Sequence, residues 1–340
     1  MRPVASAIVV NHDGAGYVED AVRSLLEQDL PGLEVLVVDN ASRDGSDAAL
    51  ERQFGGRIRL LRAGGNLGFG AGNNLAIRQS GGRYVILLNS DAEAAPSFAR
   101  ELVAAADADP TVGMVAAKVL ARGNEGLIDT VGHRLYPDGL NRGRGRLETD
   151  RGQYDQCQDA LFPSGAAALY RREMLDEIGL FDESFFLYGE DADLGLRGRV
   201  AGWRCALAPR AVAHHHYSRT AGAYSSLKAF YVERNRVWVL LKLFPLPLVL
   251  LSPGHTAVRL ALQAWAGLRG RGASGALARE RSLAHLVVVT LRAYASALRG
   301  LPRVLGQRRR GRALRRLDGR AFRRLLGEFR LSARELAFRD

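Results

Sequence analysis

Cysteine is almost absent: Cys157 and Cys205 are the only two in 340 residues. Two thiols make neither a disulfide framework nor a metal-type pair, so a reducing, cytosolic compartment is expected. Long apolar runs are missing as well. Ala5 to Val10 stops at Asn11, His12 and Asp13, too short for a signal-peptide core and well explained as a buried strand. Val237 to Leu251 is apolar over 15 residues but holds Lys242, Pro245 and Pro247, whereas a spanning helix needs about 20 apolar residues. There is no internal repeat. A G-x-G-x-x-G fingerprint is lacking too: Gly14 and Gly16 are followed by Glu19 where the third glycine belongs, and the run Gly64 to Gly72 has the wrong spacing. That excludes a dinucleotide-binding dehydrogenase. No two histidines stand at helical zinc-pair spacing, which argues against a zinc hydrolase.

What is present is globular in composition, with 47% hydrophobic and 25% charged residues, so a disordered chain is excluded. The net charge of +12 is unevenly spread. Residues 236–340 hold 22 Arg/Lys against 5 Asp/Glu, or +17, which leaves the first 235 at −5. A mildly acidic body therefore carries a basic tail, and such a tail seeks phospholipid or nucleic acid. Few aromatics interleave the tail arginines, which weakens a nucleic-acid stacking site.

Short apolar runs alternate with helical patterns. Strands are expected at 7–10, 34–38, 58–61, 84–88, 112–119, 166–170 and 203–207. Helices are expected at 17–28, 46–53, 71–78, from Pro96, from Arg172, at 191–200 and through most of the chain after 226. Unbroken apolar strands separated by helices predict an α/β architecture, a Rossmann-like, mostly parallel sheet covered on both faces. Ligands of such sheets lie beyond the carboxyl ends of the strands, where Asn11, Asp39 and Asp91 fall. Residues 122–159 are Gly-rich and weakly periodic, and read as an irregular insertion or mobile loop.

Several constellations carry chemistry. Asp39 ends an apolar run and is placed to contact a ligand, while Asp44 and Ser46 have the chemistry of a turn and cap. The glycines between Gly64 and Gly72 allow close backbone approach, to phosphate or in an ordinary turn, with Asn73 and Asn74 adding polar groups. Asn89-Ser90-Asp91-Ala92-Glu93 follows the run Val85 to Leu88. A hard cation such as Mg²⁺ or Mn²⁺ takes oxygen ligands of this kind together with substrate phosphate. Asp91 is the favoured ligand, with Asn89 and Glu93 left open. Glu190, Asp191 and Asp193 open a helix behind the aromatic stretch Phe181 to Tyr188. Asp193 is spaced for an ion pair with Arg197, and Asp191 points to another side. Alternation in His214-His215-His216 turns His215 away from its neighbours.

Taken in order, these segments resemble the inverting glycosyltransferases of family 2, which have the GT-A fold, and within them the rhamnosyltransferase-like bacterial members. The matching pieces run from about Ala5 to about Trp238. They are Ile8 to Asn11, Val37 to Ser42, Asn66 to Gly70 with Asn73-Asn74, Leu87 to Asp91, Gly165 to Arg171, Glu190 to Leu194 with Arg197 and Ala201 to Trp203, and His215 to Ser218. The resemblance implies that Asp39 contacts the nucleotide base. It makes Asp91 the surviving carboxylate of a metal-binding D-x-D element whose first position is Asn89. Asp191 becomes the catalytic base, and His215 the histidine on metal or diphosphate. The candidate donor-binding set is Asn11, Asp39, Asn66, Asn73, Asn89, Asp91 and Arg197; the candidate metal set is Asp91, Glu93 and His215.

The implied function is transfer of a sugar, rhamnose by likeness, from a nucleotide diphosphate donor to a glycan or lipid-linked acceptor. A nucleotidyltransferase, a nucleic-acid-binding protein and a non-catalytic nucleotide-sugar scaffold are the rivals. The expected division is a GT-A domain at 1–235, with a nucleotide-sugar half at 1–118 and an acceptor half at 119–235. A helical, Arg-rich region follows at 236–340. Its apolar stretches and arginines, such as Arg308, Arg309 and Arg310, fit helices lying in the headgroup layer at the inner face of the cell membrane. No nucleic-acid partner is expected.

Overall fold

The first strand shows how the sheet is built. In β1 (Ala5–Asn11) alternate side chains leave opposite faces, so Ala7 and Val9 enter one buried cluster while Ile8 enters another. The same split recurs in β2 (Leu33–Asp39), with Val35 and Val37 on one side and Leu36 and Val38 on the other. A strand buried on both faces needs helices on both faces. The first is packed by α1 (Val18–Leu26), α2 (Ser46–Phe54) and α4 (Phe98–Asp107), the second by α3 (Phe69–Gln79), α5 (Arg172–Ile178) and α6 (Glu190–Val200). This computed structural model describes residues 2–124, 126–216, 225–270 and 283–338.

The remaining strands are β3 (Arg59–Arg62), β4 (Tyr84–Leu88), β5 (Ala92–Ala94), β6 (Val112–Ala121), β7 (Ile128–Thr130), β8 (His133–Leu135), β9 (Asn141–Gly143), β10 (Ala167–Arg171) and β11 (Arg204–His215). The main sheet runs β3-β2-β1-β4-β10-β6-β11-β5, with β7 beside β6. The expected parallel pairing holds from β3 to β4. Beyond it, β10 is antiparallel to both β4 and β6, while β6 and β11 are parallel. The sheet is therefore mixed. Pro96 lies two residues ahead of α4, outside its first turn.

Residues 122–159 correct the expectation of a mobile loop. They supply β7, β8 and β9 and bury Ile128, Val131 and Leu135 in the core. Glycine serves tight packing there: Gly132 has φ +85°, and a Cβ on it would stand 2.7 Å from that of Ala160.

The tail forms α7 (Ser226–Leu243), α8 (Leu246–Leu268), α9 (Leu283–Arg299), α10 (Leu301–Arg310), α11 (Gly319–Glu328) and α12 (Ala333–Phe338). Ser225 caps α7 by accepting from the Lys228 amide, and Pro245 separates it from α8. The apolar run 237–251 is split at that point. Trp238, Val239, Leu240, Leu243 and Phe244 belong to the core, which corrects the expectation that the whole run lies in a headgroup layer. Among the described residues no helix is long and apolar enough to cross a membrane.

Buried charge fastens α8 to the body. Arg259, 1% exposed, lies 2.7 Å from Asp138 and 2.8 Å from Glu233. Removing one member of such a group strands the other, at about 3–5 kcal/mol. Many tail arginines are thus engaged inward: Arg308 and Arg315 donate to the carbonyls of Leu241 and Leu243.

Candidate active site

A cleft of about 420 Å³ opens at the carboxyl ends of β1, β2 and β4. Asp91 and Asp191 both line it, together with Asn40, Asn66, Asn89 and His215. Asp91 arrives on the turn after β4, and His215 ends β11, which pairs with β5 just beyond that turn. Adjacent strands thereby bring together residues far apart in sequence.

His215 sits between two carboxylates, its Nε2 3.2 Å from Asp91 and its Nδ1 2.8 Å from Asp129. Burial alone would lower its pKa, but hydrogen bonds to Asp129 and Asp91, and their charges, raise it to about 10. For Asp91 and Asp129 burial pushes upward, yet the hydrogen bond and charge of His215 hold both below the usual carboxylate range. The triple histidine is thereby resolved. His215 faces the cleft, His214 pairs with Glu93 in the sheet, and the His216 ring packs edge-on against Tyr17. Tyr217 and Ser218 lie outside the described residues.

Asp191 stands in the first turn of α6, where its carboxylate accepts from the amides of Ala192 at 2.7 Å and Gly165 at 3.3 Å. Acids suit a helix N-terminus. Glu190 beside it is buried, and one of its carboxylate oxygens has no partner; burial, then the charge of Asp191, raises its pKa well above the usual range.

The segment leading into α6 is strained. Phe186 and Tyr188 have φ of 65° and 64°, and Gly189 follows at 85°. Non-glycine residues held so cost about 1–3 kcal/mol each. Two sets of contacts impose the shape. From α7, the Asn235 side-chain amide nitrogen lies 3.1, 2.9 and 2.5 Å from the carbonyls of Phe185, Leu187 and Tyr188, and Arg234 donates to the Phe185 carbonyl at 2.7 Å. From α3, the Phe69 amide donates to the Phe186 carbonyl at 2.9 Å. A Cβ on Gly68 would come within 2.3 Å of that oxygen. The glycines here serve close packing: Gly70 lies against Phe181 and Gly72 against Val10.

Not every expected residue reaches the cleft. Arg197 is saturated by Asp193 and the carbonyls of Ile178, Gly179 and Leu180, so it is a structural tie. Asn73 is buried and donates to the Phe69 carbonyl. Asn11 binds Ser42 and Ser46, fastening the end of β1 to the 40–46 turn. Glu93 pairs with Arg122 at 2.7 Å and does not line the cleft. Among the described residues no cluster of three or more acids, histidines or cysteines is arranged for a metal; of the expected set Asp91, Glu93 and His215, only Asp91 and His215 are brought together, at 3.2 Å. Asn66 and Asn89 do line the cleft. Asp39 is buried and does not line the cleft, although its Oδ1 has no partner among the described residues. Asp44 accepts from Ser46 and Ala15, the turn-and-cap role.

His133 and Asp129 were not legible from sequence. Both come from the Gly-rich insertion, which has no periodicity to announce them. The His133 ring stacks on Phe162 at 5.1 Å, its Nε2 is 3.8 Å from Asp191, and neither ring nitrogen has a hydrogen-bond partner. Burial, opposed by Asp191 and Asp129, lowers its pKa, so a neutral imidazole borders the candidate base.

The fold is that of the GT-A glycosyltransferases. The chain belongs to glycosyl transferase family 2, whose model matches residues 6–179. It is 33% identical over 232 residues to the O-antigen biosynthesis protein RfbC of Myxococcus xanthus, a match covering 65% of this chain and 18% of that protein. It is 27% identical over 277 residues to the N-acetylglucosaminyl-diphospho-decaprenol L-rhamnosyltransferase of Mycobacterium tuberculosis, covering 70% of this chain and 87% of the relative. Among solved structures, the mannosyltransferase PcManGT of Pyrobaculum calidifontis, in complex with GDP-Man and Mn2+, superposes with a TM-score of 0.52 at 21% identity, covering 90% of this chain and 88% of that one. S. aureus TarS in complex with UDP gives 0.54 at 18% identity, covering 97% and 91%. The chain is therefore an enzyme that transfers a glycosyl group.

Replacing Asn235 by Ala frees the strained turn. Turnover should fall at least tenfold with little change in donor KM, and the folded state should survive. Unaltered turnover in a folded variant would show that the turn holds Asp191 without Asn235.

Proposed function

We propose that the enzyme moves a sugar, L-rhamnose by analogy with its 27%-identical relative, from a nucleotide diphosphate donor to a lipid-linked saccharide, inverting the anomeric centre. The observation that carries this reading is the shared cleft of Asp91 and Asp191. In the proposed reaction Asp191 accepts the proton of an acceptor hydroxyl. That oxygen attacks the anomeric carbon from the face opposite the diphosphate, and the nucleoside diphosphate leaves. His133 offers an acceptor hydroxyl an unpartnered ring nitrogen beside the base. Asp39, at the end of β2 beside the cleft-lining Asn40, is proposed to contact the nucleotide base through its unpartnered oxygen.

A divalent cation, Mg²⁺ or Mn²⁺, suits Asp91 and His215. Nε2 of His215 and the Asp91 carboxylate lie 3.2 Å apart and share a proton, which an ion taking both as ligands would displace. When bound it supplies neutralisation of charge on the leaving diphosphate. Asp129 on the other ring nitrogen would fix the tautomer of His215.

Peripheral membrane association is part of the proposal. Leu250, Leu251 and Leu268 on α8 are 72%, 61% and 74% exposed, and Leu291 and Leu298 on α9 are 62% and 67% exposed. Arg292 and Arg299 stand exposed beside the latter pair. Apolar side chains flanked by arginine fit an anionic lipid surface, where a lipid-linked acceptor resides. Truncation is a poor test, since Leu243 and Phe244 are core residues. Leu250→Glu with Leu268→Glu should cut sedimentation with phosphatidylglycerol vesicles several-fold. Undiminished binding would discard the membrane surface.

Asp191→Asn should retain donor binding and lose transfer by about three powers of ten or more. Near-normal turnover would remove Asp191 from the role of base.

A further inference from the structure

A second cavity, of about 860 Å³, lies between the catalytic body and the C-terminal helices. Residues 178–183 and α3 form one wall, α10 and the 3-10 turn Gly311–Leu314 the other. Its volume falls within the range of small-molecule sites.

Its charge is one-sided. The lining acids are Asp182 and Glu183, and both are taken: Asp182 by Lys242 at 3.0 Å, Glu183 by Arg78 at 2.9 Å. Arg197 is matched by Asp193. Arg308, Arg310, Arg312 and Arg315 also line the cavity, and among the described residues none has a carboxylate at ion-pair distance. Arg308 and Arg315 each give one nitrogen to a carbonyl at the end of α7, the Leu241 carbonyl at 2.7 Å and the Leu243 carbonyl at 2.6 Å. A guanidinium has five N–H donors, so the rest stay available. Burial, then the neighbouring Arg312, holds the Arg308 guanidinium below its usual range; burial, then Arg308, does the same for Arg315. Cations crowded together without counter-charge are stabilised by an anion. Planar guanidinium forks match phosphate oxygens two at a time.

We propose that this cavity is a binding site for a phosphate-bearing ligand, held by Arg308, Arg312 and Arg315 and separate from the cleft of Asp91 and Asp191. The phosphate is supplied by a lipid headgroup or by a soluble molecule. The proposal does not rest on the glycosyl-transfer reading, and its test uses no turnover.

Among the described residues the Arg312 side chain makes no hydrogen bond or ion pair, unlike Arg308 and Arg315, so Arg312→Glu alters the site without removing a tie to α7. Arg309 is exposed and outside the cavity, so Arg309→Glu is the control of equal charge change. The full chain is followed by hydrogen exchange with inorganic pyrophosphate in EDTA, and separately by sedimentation with phosphatidylglycerol vesicles. In the soluble arm, pyrophosphate should protect peptides spanning 305–316 with an affinity lowered at least tenfold by Arg312→Glu and unchanged by Arg309→Glu. Protection around Asp91 would be read separately as donor-site binding. If the phosphate is a headgroup, the same contrast appears in vesicle affinity instead. A contrast between the two variants in either arm supports the site and identifies the source. Equal behaviour in both arms, or no binding in either, overturns it.

Discussion

The turn that delivers α6 is held from two sides, and one side-chain amide makes most of its ties to α7. Asn235, fully buried on α7, reaches three carbonyls of the turn that delivers α6. That turn holds two non-glycine residues at positive φ, a shape the chain does not adopt unaided. Helix α7 is therefore packed into the body that forms the cleft. Trp238, Leu240 and Phe244 from the same region share its core, so stability and site geometry have a common source.

The opposite wall is set by the sheet. Strand ends carry Asp91 and His215, and their register fixes which histidine faces inward. On this wall the charges are paired, with His215 between Asp91 and Asp129. On the other, Asp191 has two backbone amides and a neutral imidazole nearby. In the proposed reaction the first wall holds the diphosphate and the second accepts the proton, on opposite sides of the sugar.

Much of this was readable from the chain. Period-two and period-3.6 patterns gave the elements up to Asp107 apart from the short β5 and the 3-10 turn at 55–57, and strand-end logic put Asp91 at the cleft. The Asp193–Arg197 spacing correctly foretold an ion pair. Failures have identifiable causes. Sequence order carries no sign of strand direction, so β10, antiparallel to both neighbours, was invisible. Glycine-rich residues 122–159 read as loop because glycine marks positive φ and close packing as well as mobility, and Gly132 does both. Asn11, Asn73 and Glu93 are polar residues beside the site whose hydrogen bonds turn them elsewhere, a matter of rotamer that spacing does not encode. The run 237–251 looked uniform, but helix periodicity buries its first half and Pro245 redirects its second.

The central claim is that diphosphate and base face one another across the first cleft. A crystal structure of the full chain with Mn²⁺ and an intact nucleotide sugar tests it most directly. The account predicts the ion on Asp91 and His215 Nε2, the diphosphate against it, and the anomeric carbon open toward Asp191. A diphosphate bound away from Asp91, or an anomeric carbon facing away from Asp191, would contradict it.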